Sequence, residues 1–515
     1  MYMTGRWSLA VHSNPGSLYS NKPFEQSAPW PKDAPTAIQV QRAAQCIKAT
    51  LDFLKSIEEE TLEPDEFRGS PMDMHPYTLM FGTMRAPMKF RDVWVRSPQS
   101  RHVTVLREGE FFKVEVMDAN RRPYSAKVIA RLLDRVINDR TQTAGPTNLA
   151  ALTTLDRDSW ADAYFDLRAT SGPALKTIGD SLFHVALDEP DPKIVSRNDL
   201  VRSRLHGNGR NRWFDQSFTL IVDHQGNVGS SFEHSWGDGL SMVRWANEMS
   251  KMITSWTAND FGEENVSYRS SMVEKLNFED ASKTVRQQAT SALEKFNALV
   301  NKLDLETRIF ADFGTEKMKL WRASPDGCFQ QAIQLAYRRM TQKTVATYES
   351  CSTQTYLGGR TETIRSATPE SHAFVMEMLD CLSAGDAERA RLLRIAVNKH
   401  AEIAGEAARG KGFDRHLFAL KKMAESKKMP LPDMMKGKGF DLLQKNILST
   451  STVSQDHIEQ AAFGPVVENG LGICYHFFPD RIHFSVTSYG GNAAEFAEKL
   501  EQALRDIERL LNVQP

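Results

Sequence analysis

FTLIVDHQGNVGSSFEHSWGDG, Phe218 to Gly239, decides how this chain is to be read. FTLIV (218–222) is an apolar, β-branched run. DHQGN supplies turn chemistry, and VGSSFEH returns as a second β-rich run. The pattern predicts a β-hairpin that ends on His234. A carboxylate, Asp238, follows four residues later, and Gly239 comes directly after it. A helix is predicted from Leu240 to Trp256. A histidine presented at the end of a hairpin can take a proton from a hydroxyl or a thiol near neutral pH. Taken alone, H-x-x-x-D-G serves a polar turn cluster as readily as catalysis.

Working outward, apolar residues at helical spacing (Ala44, Ile47, Leu51, Leu54, Ile57) predict a helix within residues 34–60. HVTVLREGEFFKVEVMD (102–118) reads as a hairpin around REGE, with a helix at Ser125–Asn138 and a strand at Phe183–Leu187. Residues 259–277 are polar and irregular and are taken as a domain boundary. Beyond them come a long helix, Ala281–Leu303, and a helix that begins within FGTEKMKLWRASPDG and runs to about Lys343. TVATYESCST is β-rich, and Ala387–Arg409 is strongly helical. FGPVV, GICYHFF and RIHFSVTSY read as strands, and the last helix carries Phe496, Leu500, Leu504, Ile507 and Leu511 on one face. GKGF at 410–413 and again at 437–440 falls short of a phosphate loop and reads as solvated turn. Helices interleaved with strands in both halves make the class α/β, with domains expected at 1–277 and 278–515.

The 515 residues exceed one ordinary core. Forty-one per cent apolar and 25% charged residues fit a soluble globular protein. A net charge of −1 gives no electrostatic case for nucleic acid or for an acidic membrane surface. The five cysteines, Cys46, Cys328, Cys351, Cys381 and Cys474, are scattered and show no C-x-x-C spacing, which argues for a reducing compartment and against a metal site. No apolar run is long enough to span a bilayer, and no leader is visible at the start.

Four other segments carry polar residues that plain strands and loops do not need: NRWFDQSF (211–218), TYESCST (347–353), GRTETIR (359–365) and LSTSTV (448–453). Singly, each reads as turn or strand decoration. Together with FEHSWGDG, and in this order, they closely resemble the choline/carnitine acyltransferase family. The likeness runs from the helix near Ala44 to the final helix.

The resemblance implies two α/β domains, each like chloramphenicol acetyltransferase, with the active-site tunnel at their interface. It implies that His234 is the general base, that Asp238 orients it, and that Ser451, in the run Ser449–Thr450–Ser451, stabilises the oxyanion. No covalent intermediate is implied, which suits the lack of a Ser or Cys nucleophile signature. Tyr348, Ser350, Thr361 and Arg415 match carnitine contacts; Arg415 alone would read as a helix-surface ion pair. Thr361 and Arg415 favour L-carnitine over choline. Lys319, Ser324 and Asp326 match the acyl-CoA side, where Thr315 stands in place of a first lysine; Lys317 and Arg322 lie near but out of register. No further cofactor is implied. Ala461, two residues before Phe463, matches the position that sets acyl-pocket depth, though a packed strand residue would look the same. A small residue there predicts medium- to long-chain acyl groups, as in fatty-acid oxidation.

Two departures shape the expectations. The family's opening segment, with its leader and first helices, has no counterpart here, so a truncated or non-catalytic member is the alternative reading, beside a shorter-chain enzyme. An apolar membrane insertion near residue 68 is also missing, since LEPDEF runs almost directly into PMDMHPY. The family points to mitochondria, on the matrix side of the inner membrane, with at most weak peripheral membrane contact. Oligomeric state cannot be read from the sequence.

Overall fold

The computed structural model describes residues 2–139, 148–262, 266, 268–379, 385–453 and 455–512. Cys381 lies outside them. The chain is an α/β protein with two compact units. The first comprises Met1–Pro64, Met74–Asn301 and Gln455–Phe463, and the second Asp65–Asp73, Lys302–Ser454 and Gly464–Pro515.

The first unit is built on an eight-stranded mixed sheet, in the order Val273–Lys275, Glu110–Glu115, His102–Arg107, His184–Asp188, Phe218–Asp223, Val228–Phe232, Gly16–Tyr19 and Ile458–Ala462. The predicted histidine hairpin is present, with Val222 opposite Val228 and Phe218 opposite Phe232. Every residue of Phe218–Asp223 is buried, as expected of a central strand whose two faces are both covered. Helices Ile38–Glu58 and Gly239–Ser255 pack on this sheet through the apolar stripes their spacing predicts. Trp245 of the second sits 4.9 Å, ring to ring, from Phe218 and 6.1 Å from Tyr19. Ser125 caps Ala126–Ile137 by accepting from the amide of Val128 at 3.3 Å.

The second unit has a six-stranded sheet ordered Asp304–Phe310, Ile482–Ser488, Leu471–Phe477, Leu448–Thr452, Thr347–Ser352 and Thr361–Ile364. Helix Pro325–Thr341 and the final helix Ala493–Leu511 bury their apolar faces in one core with Phe329, Tyr475 and Phe484. Phe329 stacks on Tyr475 at 4.2 Å. Phe496, Leu500, Leu504, Ile507 and Leu511 all lie in that core, as the periodicity predicts.

Several expectations need correction. Residues 259–277 are no boundary, because Val273–Lys275 pairs with Glu110–Glu115 at the edge of the first sheet. Helix Lys283–Val300 also stays with the first unit. Its Val285 and Ala289 share a core with Leu149, Trp160 and Phe278, and its Phe296 ring meets Phe214 at 6.1 Å. The break therefore comes after Asn301 rather than at 277/278. FGPVV is not a strand. Gly464 and Pro465 end the pairing, and the strand is the segment before it, Ile458–Ala462. The helix through SPDG is two helices, Thr315–Leu320 and Pro325–Thr341, parted at Arg322, whose φ is +52°. The second GKGF opens the short helix Lys438–Gln444 instead of lying in a turn.

Candidate functional site

In the first unit, His234 stands two residues beyond the strand Val228–Phe232, in a loop held by its neighbours. The amide of Glu233 donates to the Ser217 carbonyl at 3.0 Å, and the Trp236 indole donates to the same carbonyl at 2.8 Å. The Glu233 carboxylate accepts from the Ser235 amide at 3.0 Å and from its hydroxyl at 2.5 Å. Trp94 donates to Ser235 Oγ at 2.9 Å. The imidazole packs 5.1 Å from the Phe232 ring and remains about a quarter exposed, so a substrate can reach it. Its Nδ1 lies 3.6 Å from Oδ1 of Asp238, longer than a hydrogen bond. Asp238 is also the N-cap residue of Gly239–Ser255. The sequence pointed to His234 and Asp238. It did not point to Glu233, whose signal is only its place beside the histidine.

The predicted oxyanion and carnitine residues lie in the second unit, on neighbouring strands. Leu448–Thr452 runs parallel to Thr347–Ser352, with Tyr348 opposite Ser449 and Glu349 opposite Thr450. Thr347–Ser352 pairs antiparallel with Thr361–Ile364, with Ser350 opposite Thr363 and Ser352 opposite Thr361. Alternation along a strand therefore places Tyr348, Ser350, Ser449, Ser451 and Thr361 on one face. Arg415, near the start of helix Asp414–Ser426, reaches this face. Its Nη2 donates to the Tyr348 hydroxyl at 3.0 Å and to Thr361 Oγ1 at 3.3 Å, and its Nε donates to the Thr361 carbonyl at 3.2 Å. The guanidinium also lies 5.6 Å from the centre of the Tyr348 ring. Three of the four predicted carnitine residues thus meet directly. Ser350 shares the face. Arg365 of GRTETIR is engaged elsewhere, on Asp414 and Asn446.

The opposite face is charged and closed. His400 Nε2 is 2.8 Å from Glu349 Oε2, and Ser366 donates to the same oxygen at 3.3 Å. The Tyr475 hydroxyl donates to Asp326 at 2.5 Å, and Gln330 donates to both Tyr475 and Thr450, at 3.0 and 2.9 Å. Burial, and then the charge of Asp326, hold the Glu349 carboxyl well above the ordinary carboxylate range. Burial opposes the charge of His400, but the hydrogen bond and charge of Glu349 outweigh it and raise the imidazole. Donor atoms of Asp326, Glu349 and His400 lie within 4.8 Å of one another, a spacing that can hold a cation, but these side chains are bonded to each other and to Tyr475. The alternation in TYESCST was a signal for this cluster, since it turns Glu349 away from Tyr348 and Ser350.

On the predicted CoA side, Lys319 is exposed on Thr315–Leu320. Ser324 caps Pro325–Thr341 by accepting from the Gly327 amide at 3.2 Å. Asp326 turns inward to Tyr475. Lys317, a possible substitute for the missing lysine, is already paired with Glu508. Ala461 is buried in the first sheet, opposite Ser17.

Residues 1–506 match the family model described as Choline/Carnitine o-acyltransferase. The chain belongs to the choline/carnitine O-acyltransferase family. Human "Carnitine O-palmitoyltransferase 2, mitochondrial" is 34% identical over 548 residues, spanning 98% of this chain and 80% of that protein. "Carnitine O-acetyltransferase" of Columba livia is 32% identical over 532 residues, spanning 100% and 82%. Among solved structures, the first condensation domain of the CDA synthetase aligns over 98% of this chain and 92% of its own at 10% identity and a TM-score of 0.42, too loose a likeness to bear on chemistry. As a choline/carnitine O-acyltransferase the chain is an acyltransferase, and none of its described helices is long and apolar enough to cross a membrane.

Proposed function

We propose that this chain is a carnitine O-acyltransferase that exchanges medium- to long-chain fatty acyl groups between CoA and carnitine. His234 takes the proton of the carnitine hydroxyl as that oxygen attacks the thioester carbonyl. The carbon–sulfur bond then breaks, and the imidazolium returns the proton to the departing CoA thiolate, so no acyl-enzyme forms. Asp238 orients the ring. Ser451 donates to the oxyanion of the tetrahedral intermediate. Arg415, Tyr348, Thr361 and Ser350 hold the carnitine carboxylate. Lys319 meets a CoA phosphate, and Ser324 and Asp326 border the CoA path.

The observation that carries this reading is the convergence of Arg415 on Tyr348 and Thr361. A guanidinium held by two hydroxyls on a strand face is a ready-made carboxylate receptor, and carnitine has the carboxylate that choline lacks. The small buried Ala461 supports a deep acyl pocket. A shorter-chain reading stands second, because an acetyltransferase relative is nearly as similar as the palmitoyltransferases. The mitochondrial relatives support a mitochondrial location in fatty-acid oxidation.

The test is a thiol-release assay with carnitine and a series of acyl-CoAs. Palmitoyl-CoA is expected to exceed acetyl-CoA clearly in kcat/KM. In a folded His234→Ala variant, turnover is expected to fall by about 10²–10⁴-fold. A near-normal rate in that variant would refute the mechanism, and faster turnover of acetyl-CoA would favour the shorter-chain reading.

A further inference from the structure

Behind the loop that carries His234 runs a chain of buried ions in the first unit. Arg85 Nη1 meets Glu233 at 3.0 Å, and its Nε meets Asp92 at 2.8 Å. Arg157 Nε meets the same oxygen of Asp92 at 2.8 Å, and its Nη1 meets Asp215 at 2.5 Å. The Trp160 indole donates to the other oxygen of Asp215 at 2.6 Å. All five charged side chains are at most 2% exposed. Three carboxylates face two guanidiniums, which leaves one negative charge. Arg6, partly exposed, meets the other oxygen of Asp92 at 3.0 Å and shares its charge with Asp158 at 2.9 Å.

Such a chain is an expensive way to stabilise a fold, since apolar side chains of similar volume often do as well. It does supply direction. Each guanidinium is planar and bridges two acids, so the position of Glu233 is fixed along a series of rigid forks. Backbone bonds brace the same stretch: the Arg85 amide donates to the Asp215 carbonyl at 2.8 Å, and the Ser217 amide to the Thr83 carbonyl at 3.0 Å. Glu233 then grips Ser235 on the far side of His234 with its second oxygen. The histidine is the middle residue of a three-residue loop whose two ends are tied to one carboxylate.

We infer that Glu233 and Arg85 are positioning residues for His234, with Ser235 and Trp94 completing the grip, so that the ion chain sets the aim of the base. The inference rests on the reading of His234 as the base. It concerns kcat: binding of carnitine and CoA does not depend on it.

The test uses the full chain with Glu233→Gln, Ser235→Ala, Trp94→Phe and Arg85→Lys, alongside His234→Ala, each checked for a cooperative thermal transition. Glu233→Gln and Ser235→Ala are expected to lower kcat at least tenfold while both KM values stay within twofold. Trp94→Phe is expected to lower kcat by about threefold. If Glu233→Gln fails to fold, Ser235→Ala and Trp94→Phe decide, since neither alters a charge. Folded variants with kcat within twofold of the parent, or with losses carried by KM, would overturn the inference. An active His234→Ala would instead overturn the reading of His234 itself, and so separates the two failures.

Discussion

Replacing Arg415 by Gln removes the charge and withdraws the donors that reach Tyr348. In the free protein the guanidinium donates to Tyr348, to Thr361 Oγ1 and to the Thr361 carbonyl, so its position is set before any ligand arrives. A hydrogen bond to a charged partner is worth about 1.5–3 kcal/mol. Arg415 is about one-third exposed, so solvent screens it and the lower part of that range applies. A loss of about 1.5–2 kcal/mol raises the carnitine KM by about 10- to 30-fold. The acyl-CoA KM is expected to stay within about twofold. Choline has no carboxylate, so its poor turnover is expected to change little, and the carnitine-to-choline preference falls by nearly the same factor. Thr361→Val removes one neutral bond of about 0.5–1.5 kcal/mol, and the double variant is expected to lose less than the product of the two, because the side chains touch. The assay is steady-state thiol release at saturating palmitoyl-CoA with carnitine or choline varied. An unchanged carnitine KM, or an equal rise in both KM values, would refute a carboxylate receptor at this position.

Two further outcomes are expected. Ala461→Met fills space beside Ser17; if it shortens the acyl pocket by about three methylenes at about 0.8 kcal/mol each, the palmitoyl-to-acetyl ratio of kcat/KM falls by about 50-fold, and an unchanged ratio would remove Ala461 from the pocket. Burial lowers His184 to about 3 and His206 to about 4, so both are neutral in the fold and take up protons on unfolding below pH 6.5. Their contribution is present above pH 6.5 and is lost as pH falls towards those values, about 2 kcal/mol each by pH 5. Urea midpoints at pH 7.5 and pH 5 measure it, and a flat profile would contradict it.

Periodicity and turn chemistry made the histidine hairpin, Ile38–Glu58, Ala126–Ile137 and the final helix legible. Helix Arg157–Gly179 was missed because its pattern breaks where Ser171 leaves helical geometry, two residues before Pro173. Strand Gly16–Tyr19 was missed because Ser, Asn and Gly around it read as loop; only its partners on both sides make it a strand. The residues expected to hold carnitine were picked out through local motifs that matched a family. The chain from Glu233 to Asp215 was not, because Arg85, Asp92 and Arg157 sit far from Glu233 in sequence and follow no period. The inward bond of Asp326, whose carboxylate accepts from the buried Tyr475 hydroxyl, was not legible in SPDG, because Tyr475 lies 149 residues away in sequence.

The strand Ile458–Ala462 has a consequence for biosynthesis. Gly16 pairs with Ala462, 446 residues later (462 − 16), so the outer edge of the first sheet lacks its last strand until residue 462 has been made. At about 5–20 residues per second, that interval is about 20–90 s. Throughout it, Gly16–Tyr19 presents an open row of amides and carbonyls, the kind of edge on which a neighbouring nascent chain can pair. The ribosome thus finishes the second unit's strand Leu448–Thr452 before it can release the residues that complete the sheet of the first.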